Sequence, residues 1–141
     1  MSKNSNAWLT LTHAIADIEA ELGKVLQDKH RLGLSEYRAM KILSQSPNSE
    51  LRMQDLAKHL NLNQSSVSRM VERLERSELT IRDLCPDDKR GVYTVLTDKG
   101  RSHLEQASDD YEGALEAALI KHNCKALLSS VPLSSTQGDT E

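Results

Sequence analysis

Residues 61–100 read NLNQSSVSRM VERLERSELT IRDLCPDDKR GVYTVLTDKG, and they carry the most informative patterns of the chain. Near its start, apolar residues recur at i, i+3, i+4 and i+7, which predicts one buried face of a helix. The residues of this face are Val67, Met70, Val71 and Leu74. Asn63 is a good N-cap, because its side-chain oxygen can accept a hydrogen bond from a first-turn N–H group. We therefore expect a helix from Asn63 to about Ser77.

The second part of the stretch alternates with a period of two. Residues 79–84 and 92–96 both show this alternation, and the second segment is rich in β-branched residues, as strands are. Between them lies a charged turn, residues 85–91, with Pro86 and Gly91 near its ends. The two segments predict a β-hairpin.

A shorter helix is expected just before the first one, over residues 52–60, with residues 61–63 as the turn between them. Its apolar face comprises Met53, Leu56, Ala57 and Leu60. A short helix, a tight turn, a second helix and a basic-tipped hairpin together predict a winged helix-turn-helix. The expected fold class is therefore mainly α with a small β-hairpin wing.

The second helix of this motif fits the major groove of duplex DNA, which is about 12 Å wide. Its outward side chains are hydroxyls and arginines, which can reach base edges or phosphates. These candidates are Ser65, Ser66, Ser68, Arg69 and Arg73. The hairpin tip offers Lys89 and Arg90 to the neighbouring minor groove, where a narrow groove attracts arginine. The pattern therefore predicts binding to double-stranded DNA.

Long helices are expected on both sides of this lobe. Residues 6–30 carry apolar residues at alternating spacings of three and four, a heptad-like stripe suited to packing on another helix. The stripe consists of Trp8, Leu11, Ile15, Ile18, Leu22 and Val25. We expect Gly33 to end this segment and Ser35 to cap a second helix that stops before Pro47. Thr97 should cap a further long helix, and a shorter one is expected over residues 123–131.

Charge and composition are consistent with this interpretation. The chain of 141 residues has a net charge of −3, but residues 52–101 carry +2 and residues 102–141 carry −5. The acidic C-terminal part thus conceals a base-rich stretch. No apolar run approaches the roughly 18 residues that a membrane span needs. No signal-peptide core is present, and two cysteines are too few for a disulfide framework, so we expect a cytoplasmic protein without membrane contact.

The wing region resembles the MarR (multiple antibiotic resistance regulator) family of bacterial transcription factors. The most specific match is Asp88-Lys89-Arg90-Gly91 followed by residues 92–100, an Asp-x-Arg wing motif that leads into Leu-Thr-x-x-Gly. Residues 63–74 and Leu56-Ala57 agree as well, so the close match covers residues 32–104. The resemblance implies that Arg90 enters the minor groove and that Asp88 helps to position it. It also implies that Ser66, Ser68 and Arg69, on the second helix of the motif, contact DNA.

The resemblance also implies a homodimer whose N- and C-terminal helices intertwine. The expected organisation is an N-terminal dimerisation helix (1–34), a DNA-binding lobe (35–100), C-terminal dimerisation helices (101–132) and a disordered tail (133–141). By the same resemblance, the protein is a repressor of a pseudo-palindromic operator, released by a small-molecule effector such as an aromatic acid. No cofactor is expected.

Two positions depart from the family pattern. The family usually has glycine where this chain has Glu78, and glycine takes a positive φ more readily than glutamate does. We therefore expect the second helix of the motif, the recognition helix, to end differently and the wing to shift. The family also often has Ser or Thr at the position of Arg52, where it caps the first helix of the motif. We therefore expect that helix to start earlier in this chain, at Ser49.

Two other classes of function stay open at this point. A winged helix can act as a protein-interaction module that does not bind DNA, with Arg69 and Arg73 as solvated partners of Glu72 and Glu75. A thiol- or metal-responsive sensor on the same scaffold would need a reactive Cys85 or Cys124. An inert thiol is favoured, and the scattered histidines predict no metal site. No catalytic motif is present, so we do not expect an enzyme.

Overall fold

A computed structural model describes residues 2–84 and 92–124. Two long helices, α1 (Lys3–His30) and α5 (Asp98–Lys121), flank a lobe of three helices and a small sheet. The remaining helices are α2 (Leu34–Ser44), α3 (Met53–Leu60) and α4 (Gln64–Arg76). The strands are β1 (Glu50–Arg52), β2 (Thr80–Leu84) and β3 (Val92–Leu96). The expected winged helix-turn-helix is confirmed.

The sheet is antiparallel, with β3 in the middle. β2 and β3 form the hairpin that the sequence predicts, and Arg82 lies opposite Thr94. β1 was not predicted; it pairs Arg52 with Tyr93 on the other side of β3. Because β1 has only three residues, it leaves no periodic signal in the sequence.

Three expected helix ends are wrong. Arg31, not Gly33, ends α1 with a left-handed backbone (φ 55°), while Gly33 is the extended N-cap of α2 and Ser35 lies inside that helix. Ser49 does not start α3 early, because residues 50–52 are extended and Arg52 itself is the N-cap. An arginine at this position provides no side-chain cap hydrogen bond.

The expectation that Glu78 changes the end of α4 relative to the family pattern is wrong. Its φ is 64°, so glutamate adopts the left-handed conformation that glycine favours. The N–H of Leu79 donates to the carbonyl oxygen of Leu74 at 2.9 Å and closes the helix end. The chain thus enters β2 with a left-handed turn in spite of the substitution.

The helix caps at Asn63 and Thr97 are confirmed. The Asn63 side chain accepts a hydrogen bond from the N–H of Ser66, and that of Thr97 accepts one from the N–H of Gly100. Of the helix expected over residues 123–131, Asn123 and Cys124 lie beyond the end of α5 in a non-helical segment. Residues 125–131 and the tail lie outside the described residues.

The core has two parts. The larger part lies within the lobe and joins α2, α3 and α4 to the sheet and to the first half of α5. The smaller part joins α1 to the second half of α5 through Ile18, Leu22 and Ala118. In the described part of the chain, no helix is both long enough and apolar enough to cross a membrane.

Candidate nucleic-acid interface

The N-terminus of α4 is organised by Asn63. Its Oδ1 accepts hydrogen bonds from the N–H of Ser66 at 2.8 Å and from the hydroxyl of Ser65 at 3.0 Å. The apolar face of α4 is fully buried, which fixes the rotation of the helix about its own axis. The buried residues are those the sequence predicted: Val67, Met70, Val71 and Leu74.

This rotation brings the five helix candidates to the outer surface of α4. Ser65, Arg69 and Arg73 are exposed, and Ser66 and Ser68 are partly exposed. Arg69 makes no hydrogen bond or ion pair within the described part of the chain. Its guanidinium group is therefore available to a partner outside the protein.

Arg73 has a partner that the sequence did not predict. Its Nε lies 2.8 Å from Oε2 of Glu36, which is largely buried. The other oxygen of Glu36, Oε1, accepts the N–H of Gly33 at the start of α2. Arg73 therefore joins α4 to α2. The alternative in which Arg73 pairs with Glu72 or Glu75 in solvent is wrong, because its partner is Glu36.

The base of the wing lies beside the last turn of α4. Nε of Arg82, on β2, donates to Oε2 of Glu75, on α4, at 2.8 Å. This ion pair fastens the hairpin to the helix. The wing-tip candidates Asp88, Lys89 and Arg90, and also Cys85, lie outside the described residues, so their predicted roles stay predictions.

A polar cleft separates the start of α4 from the base of the wing. Its volume is about 370 Å³, and its lining includes no carboxylate among the described residues. The lining residues are Arg52, Met53, Gln54, Gln64, Arg82 and Val92. Neither arginine was predicted to be functional. Arg82 lies in a segment that alternates as a strand, and Arg52 lies at the predicted start of a helix, so local patterns gave both only a structural place.

A second cavity lies behind the lobe, between α2, the end of α3 and α5. Its volume is about 440 Å³. Tyr37 and Tyr111 stack within it, with ring centroids 4.3 Å apart. The buried hydroxyl of Tyr37 lies near Ser108 but forms no hydrogen bond of good geometry with the described residues. Three basic residues, Arg38, Lys41 and His59, and one acidic residue, Glu112, share the lining.

Within residues 2–84 and 92–124, no group of three or more His, Cys, Asp or Glu side chains is arranged to hold a metal ion. Cys124 is buried, and its thiol donates to the carbonyl oxygen of His122 at 3.4 Å.

Comparisons with known proteins agree with this architecture. The MarR family model matches residues 32–92. The transcriptional regulator MhqR of Bacillus subtilis is 24% identical over 96% of this chain and 95% of its own length. The homoprotocatechuate degradative operon repressor of Escherichia coli is 29% identical over 61% of this chain and 57% of its own.

Solved structures show the same fold over nearly the whole chain. Sco3205 of Streptomyces coelicolor, a MarR family regulator in complex with DNA, has a TM-score of 0.80 and 26% identity, covering 98% of this chain and 81% of its own. Sco5413 of the same organism has a TM-score of 0.77 and 28% identity, covering 99% of both chains.

Fold and site together define a DNA-binding transcriptional regulator of the winged helix-turn-helix class. Within that class, the chain is similar to the MarR family, whose model matches residues 32–92 and to which the most similar of these structures belong.

Proposed function

We propose that this protein is a homodimeric repressor of a pseudo-palindromic operator, released from DNA by a small aromatic acid. The observation that carries the proposal is the outer face of α4. Arg69 is exposed there without a partner among the described residues, beside the hydroxyls of Ser65 and Ser68. Such a face can read bases in the major groove while Lys89 and Arg90 enter the minor groove.

Apolar surface on α1 supports the dimer. The predicted stripe divides into two parts: Ile18 and Leu22 pack on the chain's own α5, whereas Trp8 and Ile15 are 62% and 45% exposed. Ile120, on α5, is also exposed. A second copy of the chain would remove this surface from water, which favours association.

A dimer fixes the form of the operator. Two recognition helices related by a twofold axis contact half-sites about one helical turn, or 34–36 Å, apart. The two half-sites should therefore form an inverted repeat. The expected effect in the cell is repression, since a dimer on a promoter excludes RNA polymerase.

The cavity beside Tyr37 and Tyr111 is our candidate effector site. Its volume is in the range of small-molecule pockets, and it combines aromatic faces with the cationic side chain of Lys41 and the imidazole of His59. Aromatic rings with a carboxylate suit both features. Because the cavity lies between α5 and the lobe, an occupant that prefers one arrangement of these parts would change the spacing of the recognition helices.

Selection of binding sites from a random duplex pool, at about physiological ionic strength, tests the proposal. Enrichment of an inverted repeat by a dimeric protein is expected. A folded dimer that enriches no sequence would contradict it.

The effector part of the proposal needs a separate measurement on the selected operator. Benzoate should release the DNA, whereas benzamide, which has the same ring without the charge, should not. Lys41→Gln should weaken the response to benzoate and leave DNA affinity unchanged. Equal effects of benzoate and benzamide would show that the carboxylate of the effector is not needed for release of the DNA.

A further inference from the structure

Another cleft, rich in arginine, lies between the end of α1, the start of α2 and the second half of α4. Its volume is about 490 Å³. We call it the arginine cleft, and it shares no lining residue with the cavity beside Tyr37 and Tyr111. The two are therefore separate sites. The polar residues of the arginine cleft are Gln27, Arg31, Glu36, Arg73, Arg76 and Ser77.

The arginine cleft carries two positive charges that no described carboxylate neutralises. Nε of Arg73 lies 2.8 Å from Oε2 of Glu36, so the charges of these two groups cancel. Arg31 and Arg76 remain, and both are exposed. Neither side chain makes a hydrogen bond or an ion pair with another described residue. Their guanidinium groups are therefore available to a ligand.

Acidic side chains near the arginine cleft do not cancel this charge. Three of them pair with other cations: Asp28 with Lys24, Glu75 with Arg82, and Glu78 with Lys99. Glu72 makes no ion pair within the described part of the chain, and it does not line the cleft either. The net charge of the lining is therefore that of Arg31 and Arg76.

The two arginines come from different helices that form the walls of the cleft. Arg31 is the C-cap of α1, and Arg76 is the last residue of α4. The amide of Gln27 and the hydroxyl of Ser77 add neutral hydrogen-bonding groups. Three leucines that are buried in the core, Leu32, Leu74 and Leu79, close the floor. The result is a concave site with a cation on each of two helices.

Charge and size together indicate the class of ligand. A phosphate monoester carries about −1.5 to −2 charges at pH 7 and has three strong acceptor oxygens, which suit two guanidinium groups. A carboxylate and a phosphodiester of DNA carry one charge each. The volume also exceeds that of a phosphate group and lies in the range of small-molecule pockets. We propose that the arginine cleft binds a small phosphate monoester, such as a sugar phosphate, through Arg31 and Arg76.

Calorimetric titration of the full chain without DNA tests the inference at constant ionic strength, so it does not depend on the proposed function. Inorganic phosphate and glucose 6-phosphate should both bind, whereas glucose should not. Arg31→Gln and Arg76→Gln should each weaken binding at least fivefold. Lys58→Gln removes an exposed cation of α3 and should leave the affinity unchanged. No binding of either phosphate compound would overturn the inference, as would equal affinities of Arg76→Gln and Lys58→Gln.

A further variant separates ligand binding from support of the helices, because basic side chains near a helix C-terminus also stabilise the helix dipole. Ser77→Asp keeps both arginines and places a negative charge in the arginine cleft. It should weaken phosphate binding at least fivefold, whereas Ser102→Asp, at an exposed position of α5, should not. Urea denaturation verifies that both variants are folded. Wild-type affinity for phosphate in folded Ser77→Asp would contradict the inference.

The DNA backbone is the other source of a phosphate group, and the salt dependence of DNA binding distinguishes it. Loss of a contact with a DNA phosphodiester would reduce the slope of log K against log[salt] by about one. Arg31→Gln should keep the wild-type slope. A reduced slope in this variant would assign the arginine cleft to the DNA backbone and overturn the inference. If the folded wild-type protein binds phosphate but no DNA, the proposed function alone fails.

Discussion

Gly100 lies so close to the carbonyl oxygen of Leu79 that a Cβ atom at this position would overlap that oxygen. The first turn of α5 therefore rests directly on the backbone that joins α4 to β2. Thr97 secures the contact, since its N–H donates to that oxygen at 3.1 Å. Its hydroxyl donates between the carbonyl oxygens of Glu78, at 2.8 Å, and Leu79, at 3.0 Å. These contacts give a physical reason for the Leu-Thr-x-x-Gly motif and join the long helix α5 to the base of the wing.

Gly100→Ala should destabilise the protein by about 2–3 kcal/mol, because the neighbouring atoms belong to backbone and cannot move aside easily. Thermal or urea unfolding would measure the loss. Gly113→Ala is the matched control: it lies in the same helix with no atom within 4 Å of its Cβ position. That variant should gain about 0.5–1 kcal/mol. Equal effects of the two substitutions would refute the close contact.

Glu78→Gly should stabilise the protein by about 0.5–1 kcal/mol. A positive φ costs a non-glycine residue roughly 1–2 kcal/mol, and the substitution relieves this strain. The greater conformational entropy of glycine in the unfolded chain offsets part of the gain. The exposed ion pair between Glu78 and Lys99 contributes little. Ser77→Gly, one residue earlier with a negative φ, should destabilise instead. Urea denaturation of the two variants distinguishes these signs.

Arg69 and Arg73 should respond differently to alanine, although they lie one turn apart on the same helix. Arg69→Ala should cost about 1–3 kcal/mol of operator affinity and leave stability unchanged. Arg73→Ala should also lower stability, by about 1 kcal/mol, because it leaves the largely buried carboxylate of Glu36 without its cation. Fluorescence anisotropy and urea denaturation measure the two quantities. A stability loss in Arg69→Ala would show that we misplaced this side chain.

Stability should fall in acid through carboxylates that join α1 to α5. Hydrogen bonds from His122 and then Lys121 lower the pKa of Glu21 below its ordinary value of 4.5. The hydrogen bond from His30, 2.7 Å long, lowers the pKa of Asp110 below 3.8. A lowered pKa in the folded state gives stability that is present above the ordinary pKa and is lost as pH falls through the folded value.

The free energy of unfolding should therefore decrease as pH drops below about 4.5. Glu21→Gln removes one of the two groups and should make this decrease shallower. Glu105→Gln, at an exposed position of α5, serves as the control. Urea denaturation between pH 5 and pH 3.5 gives the slopes, and an identical slope in Glu21→Gln and wild type would exclude this carboxylate as a source.

Trp8→Glu should weaken the proposed dimer at least tenfold, since it places a charge on the exposed apolar part of α1. Thr10→Glu changes an exposed residue off the predicted stripe and should have little effect. Sedimentation equilibrium measures the dissociation constant. A Trp8→Glu protein that remains dimeric would place the interface elsewhere.

Local patterns explain why much of the lobe was predictable from sequence. The buried face of α4 and the caps at Asn63 and Thr97 depend on residues within one or two helical turns of each other, and all were confirmed. The alternation of β2 and β3 is equally local. Helix ends were less predictable, because Arg31 and Glu78 take left-handed conformations that the surrounding structure imposes on non-glycine residues.

The winged helix-turn-helix and the outward face of α4 could be predicted from sequence alone, because both follow from periodicity and capping over short distances. Which arginines of the lobe already have a partner within the protein depends on the packed structure. Arg73 meets Glu36 across 37 residues of sequence, and Arg52 meets Tyr93 across 41. Such contacts depend on how separate elements pack, and no local pattern records the packing.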